Sequence, residues 1–162
     1  MAYPPGFNYV SGEFTIRRFP VTSTGTFLKR NPVSIGADGV VSEFSLPAVS
    51  IAGIAMSDSS ESEAIAGVNT VLVGVFGDDT IFATKIQTNV ATSALTAYNA
   101  FNLEKATNHW RPDTDSTVTK WVQLVPRGDG TVDARSDDST VLVQFMQGKQ
   151  EPFRSNTTVL VG

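Results

Sequence analysis

The residues able to do chemistry are few. The 162-residue chain contains no cysteine and a single histidine, His109. A thiolate nucleophile, a disulfide framework, an iron–sulfur cluster and a cysteine zinc site are therefore excluded. So is a multi-histidine metal site, and any imidazole acid–base scheme has to run through His109. The cluster His109-Trp110-Arg111 reads as the rim of a β-sheet, where amphipathic side chains reach water. Two aspartate pairs, Asp78-Asp79 and Asp137-Asp138, sit in polar turn segments, where carboxylates are solvated turn formers rather than a catalytic pair. Asp113-Thr114-Asp115 opens like a calcium loop, but Val118 stands where the loop needs glycine and Leu124 where it needs a bidentate glutamate. It reads instead as a turn with an Asx cap. Arg127-Gly128-Asp129 matches a tripeptide read by some cell-surface receptors, and its glycine and aspartate are accounted for by a turn. Asn156-Thr157-Thr158 fits a glycosylation acceptor, which carries little without a secretory signal. No catalytic residue, metal site or cofactor is expected.

The elements that would position any site are strands. Serine, threonine and valine are abundant while leucine, lysine and glutamate are scarce, a balance that favours a pleated surface over a helix. Thirteen glycines and eight prolines punctuate the chain at the spacing of short strands and turns. Pro32–Ile35 alternates as a strand, Ala37-Asp38-Gly39 signals a tight turn before Val40-Val41, and Ile51–Met56 reads as a buried strand. Ser57–Glu63 is a polar loop with one helical turn framed by Ser60 and Glu63. Thr70–Phe76 and Thr80–Ile86, flanking Gly77-Asp78-Asp79, give the clearest hairpin signal. Residues 91–106 are ambiguous: Ala94, Leu95, Tyr98 and Phe101 would share a helical face, whereas Phe101 and Leu103 alternate as in a strand. Val118–Val125, closed by Pro126, Thr140–Met146 and the terminal Thr158–Val161 complete the strands, with turns at Asp129-Gly130 and Ser136-Asp137-Asp138. A chain of this length buries roughly two-thirds of its unfolded surface without staples. No apolar run approaches the ~20 residues that span a bilayer, and the first six residues lack the layout of a secretory leader. Partnership with a membrane is not expected. Nor, at a net charge of −4, is partnership with nucleic acid.

Residues 1–26 stand apart from residues 27–162. They hold Tyr3, Phe7, Tyr9, Phe14 and Phe19, a third of the fifteen aromatics, among prolines and glycines that oppose a helix or a central strand. An extended arm of this kind either folds back on its own domain or lies across a neighbouring protein. Charge divides along similar lines. Residues 1–30 carry a net +3, from Arg17, Arg18, Lys29 and Arg30 against Glu13. Residues 31–84 carry −7 with no lysine or arginine at all. Opposite charge attracts over roughly 8 Å at physiological salt, so the arm is either pinned within its own molecule or drawn to a neighbour. Tyr3, Phe7, Tyr9 and Phe14 are the candidate anchors of such an arm, Arg17 and Arg18 its charges, and Asp58, Glu61 and Glu63 a candidate acidic counter-surface.

Two stretches carry a family resemblance. Asn31–Ile35, Ala37–Val41 and Ile51–Ala55 form one, and Phe101-Asn102-Leu103, Trp110–Ser116 and Val143-Gln144-Phe145 the other. Together they resemble the β-rich decoration, or cement, proteins of tailed-bacteriophage capsids over about half of the chain. The resemblance implies a protein of the virion exterior, assembled in the host cytoplasm. It would sit as a homotrimer on the finished shell and clamp adjacent subunits of the major capsid protein. The expected fold is mainly β: one small β-barrel or β-sandwich domain, β-tulip-like, with the N-terminal arm and little helix. Two other readings stay open. One is a tail-tube or fibre component; the other is a carbohydrate-binding β-sandwich with Trp110, Trp121 and Tyr98 as a stacking platform.

Overall fold

The computed structural model describes residues 3–22, 26–46, 51–86, 98–115, 119–125 and 140–146. Twelve strands and one short 3-10 turn make up the described elements, so the mainly-β expectation holds. In chain order the strands are β1 (Asn8–Ser11), β2 (Phe14–Pro20), β3 (Pro32–Ile35), β4 (Val41–Glu43), β5 (Gly53–Ala55) and β6 (Glu63–Ile65). They continue with β7 (Val68–Phe76), β8 (Ile81–Lys85), β9 (Ala100–Ala106), β10 (His109–Asp113), β11 (Val122–Leu124) and β12 (Thr140–Phe145). They form two antiparallel sheets, in two compact units. Among the described residues, one unit lies within Met1–Glu13 and Asp78–Met146 and the other within Phe14–Gly77. The chain passes between the two units at Glu13/Phe14 and Gly77/Asp78.

The first unit is a six-stranded sheet in the order β1-β8-β12-β11-β9-β10. β8 and β12 lie inside it, and Phe82, Ala83, Thr84, Val141, Leu142 and Val143 are buried on both faces, as inner strands require. Phe7, delivered by the turn at Gly6 (φ 96), packs its ring 5.1 Å from Phe145 and 6.2 Å from Phe82, which are themselves 5.7 Å apart. Tilted and edge-on pairs of this kind add about 0.5–1.5 kcal/mol each beyond the area they bury. The Asn8 side-chain amide donates to the carbonyls of Pro4, Gly6 and Ala83 and so ties the leading turn to β8. At the far edge, Pro112 occupies β10, an edge strand where a missing N–H costs no ladder bond. Its neighbour Arg111 places Nε 2.6 Å from Glu104 Oε2, directly across the β9–β10 pair.

The second unit is a sheet in the order β2-β7-β5-β3-β4, with β6 also paired to β7. It curls until Val21, just past β2, bridges Val41 of β4, so the first and last strands meet at one point. Phe19, Val21, Phe27, Val33, Val41, Ala52, Ala55, Val71, Val73 and Val75 fill the inside of this curve. Close backbone approach is bought with glycine: a Cβ on Gly53 would strike the Gly74 carbonyl, and a Cβ on Gly74 would strike the Phe14 ring.

Three expectations need correction. The segment 1–26 is not an arm outside a domain: Asn8–Ser11 pairs with β8 and Phe14–Pro20 with β7. The hairpin expected around Gly77-Asp78-Asp79 does not form. Its two strands exist, but β7 pairs with β2, β5 and β6, and β8 with β1 and β12. The turn residues instead carry the chain from one sheet to the other, as Gly12-Glu13 does between β1 and β2. These connections are fitted together: a Cβ on Gly12 (φ +96) would come within 2.7 Å of the Asp79 carbonyl, and the Thr80 hydroxyl donates to the Glu13 carbonyl. The helical turn covers Ser59–Glu61, where the Glu61 carboxylate accepts the Asp58 N–H, so it is framed by Asp58 and Glu61, two residues earlier than Ser60 and Glu63.

Among the ambiguous residues, the alternation of Phe101 and Leu103 prevails: both are buried in β9. Asp115 N–H donates to the Asp113 carboxylate, the expected Asx turn. Ala94, Leu95, Pro126, Arg127-Gly128-Asp129, Gly130, Ser136-Asp137-Asp138, Asn156-Thr157-Thr158 and the Thr158–Val161 run lie outside the described residues.

Candidate interaction surface

β2 is an end strand of its sheet, and its side chains divide by register into two sets. Phe19, opposite Val71, turns into the core; Thr15 and Arg17 lie on the same side, exposed. Phe14, Ile16 and Arg18 take the outward face, shared with Leu72, Thr70 and Val68 of β7 and with Glu63 and Ile65 of β6. On that face Arg18 Nη1 lies 3.2 Å from Thr70 Oγ1 and 3.6 Å from Glu63 Oε2. Thr70 Oγ1 in turn donates to the Glu63 carbonyl at 2.7 Å. The basic strand and the acidic strand are thus clasped across β7.

Apolar side chains flank that clasp. Ile16 is 52% exposed on one side of it; Ile65 and Val68, at 45% and 48%, stand on the other. Ile65 and Val68 pair directly across a two-residue turn, Ala66 (φ 53) and Gly67 (φ 83), whose double positive φ suits the right-handed twist of a hairpin. All three β6 residues are exposed. Its signal in the sequence is an Ala-Gly pair between Ile65 and Val68 with Glu63 leading in, short beside the apolar run of Thr70–Phe76 that follows it.

The candidate residues scatter in role. Phe7 is 1% exposed and belongs to the core, so it is no anchor for a neighbour. Tyr3 and Phe14 are half-buried, Phe14 over Gly74. Tyr9 is exposed and donates its hydroxyl to the Gly12 carbonyl at 2.7 Å. Arg17 is exposed. Of the acidic set, Glu63 alone meets an arginine among the described residues. The Asp58 carboxylate accepts the Lys29 N–H at 2.7 Å, and Glu61 accepts the Asp58 N–H at 3.1 Å. Those two carboxylates pin the Phe27–Lys29 segment and their own loop, aided by Ser59, whose N–H donates to the Phe27 carbonyl and whose Oγ accepts the Phe27 N–H. The stacking platform does not assemble: Trp110 and Trp121 are buried, and only Tyr98 of that trio is exposed.

Among the described residues, no group of three or more histidine, aspartate or glutamate side chains is placed to hold a metal ion, and no helix is long and apolar enough to cross a membrane. Comparison of the chain with protein-family models, with curated proteins and with solved structures returned no match.

Proposed function

We propose that this chain is a structural virion protein that binds the outer surface of an assembled tailed-phage capsid and stabilises it by clamping adjacent major capsid subunits, as a homotrimer. The observation that carries the reading is the outward face of β2, β7 and β6. There Ile16, Ile65 and Val68 surround an ion pair already neutralised within the chain. Such a face has apolar area to bury and little net charge to desolvate, which suits attachment to another protein. The sheet that carries these strands supports the face from within its own unit, and a protein that binds only the assembled lattice stabilises that lattice by mass action. Burial of Trp110 and Trp121 weighs against the carbohydrate-binding alternative.

The test mixes the chain with capsids assembled without it and measures occupancy by sedimentation and capsid stability by melting. The triple variant Ile16→Ser, Ile65→Ser, Val68→Ser keeps every buried residue and is expected to lose occupancy. Full occupancy of that variant would reject the face. Rings or elongated trimers formed by the chain alone, with no capsid binding, would favour a tail-tube or fibre role instead.

A further inference from the structure

The backbone of β2 has a second use. Val21 N–H donates to the Asn69 carbonyl at 2.9 Å, and Val21 stands directly opposite Asn69 in register. Hydrogen-bonded and non-hydrogen-bonded pairs alternate along an antiparallel ladder. Phe19, Arg17 and Thr15 therefore bond to β7, while the N–H and C=O groups of Ile16 and Arg18 point away from it. Pro20 agrees with this phase, because its position needs no ladder N–H. No described strand pairs with β2 along Phe14–Arg18; among the described residues, the contact of strand type on that side is the Val21–Val41 bridge beyond its end.

We propose that the open edge of β2 receives an acidic extended segment of a partner protein as an added antiparallel strand. Main-chain bonds would come from Ile16 and Arg18, a side-chain pair from Arg17, and an apolar contact from Ile16. The charge on the strand selects this occupant. A second copy of β2 is disfavoured, since each antiparallel register that bonds the outward groups of Ile16 and Arg18 to those of Ile16 or Arg18 in the copy sets Arg17 or Arg18 opposite or diagonal to its own counterpart. Arg18 is partnered by Glu63, which leaves Arg17, exposed beside the edge, as the charge an incoming carboxylate would meet. Strand addition of this kind draws affinity from the main chain and specificity from alternate side chains. The inference rests on the capsid reading only for where the segment comes from.

Its test needs no capsid. The full-length protein, isotope-labelled, is titrated with a short blocked peptide of alternating valine and glutamate, and with the lysine counterpart. The acidic peptide is expected to slow amide hydrogen exchange at Ile16 and Arg18 by about tenfold or more, and the basic one to leave it unchanged. Ile16→Pro removes one outward N–H and no ladder bond, so it should abolish the effect, while Ile16→Thr should retain it. Arg17→Glu should transfer the preference to the lysine peptide, a readout that stands even if the proline variant fails to fold. Protection by both peptides alike, by neither, or by raised protein concentration alone would overturn the inference. Capsid occupancy, measured separately on Ile16→Pro and on Ile16→Thr, which loses the same apolar side chain but keeps the N–H, then shows whether the lattice uses this edge; equal values remove the edge from the capsid contact without touching the capsid reading.

Discussion

Arg18 and Glu63 meet across β7, with Nη1 and Oε2 3.6 Å apart and Thr70 Oγ1 between their strands. The charge division of the sequence, basic at the start and acidic through residue 84, is thus closed in part inside the molecule. Both side chains keep contact with water, so the pair holds β6 against β2 weakly. A double-mutant cycle with Arg18→Met and Glu63→Gln should give a coupling of about 0.2–1 kcal/mol in urea unfolding, diminished at high salt. A coupling that is large and insensitive to salt would contradict this picture.

Gly74 owes its place to Phe14. Gly74→Ala should destabilise by about 1–3 kcal/mol, because the added methyl meets the ring. In a Phe14→Ala background the same change should cost markedly less, and chemical denaturation of the four variants reads the difference.

Phe7 is a core residue, and Phe7→Ala should cost about 3–5 kcal/mol. For the same reason, deletion of residues 1–16 takes away β1 and the start of β2 and should abolish cooperative unfolding of the chain. A truncated chain that melts like the full-length one would show that the leading strands are dispensable.

Ser59 joins the Phe27 segment to its loop through hydrogen bonds in both directions. Ser59→Ala leaves the Phe27 N–H without its side-chain acceptor and should cost about 1 kcal/mol. Thermal unfolding, together with amide exchange at Phe27, separates this loss from a general loosening.

Individual strands were legible because their patterns are local. Pro32–Ile35, the buried run around Gly53–Ala55 and the apolar stretch of Thr140–Phe145 are strands where the residues say they should be. Partnership was not legible. A Gly-Asp-Asp turn between two apolar runs looks like a hairpin from within, and nothing local reveals that β1 pairs with β8 and β2 with β7. The N-terminal prolines and glycines correctly spoke against a central strand, yet an edge strand ending at Pro20 satisfies the same rule. The surface followed suit. Arg18 and Glu63 could be named from charge alone, but Ile16, Ile65 and Val68 become a face only when the register of three strands places them together.

The most direct measurement is imaging of capsids assembled without the chain, before and after it is added. Ordered added density is expected on the outer shell, with β2, β7 and β6 turned toward the capsid subunits and a raised capsid melting temperature. Bare shells at saturating protein, with melting unchanged, would contradict it.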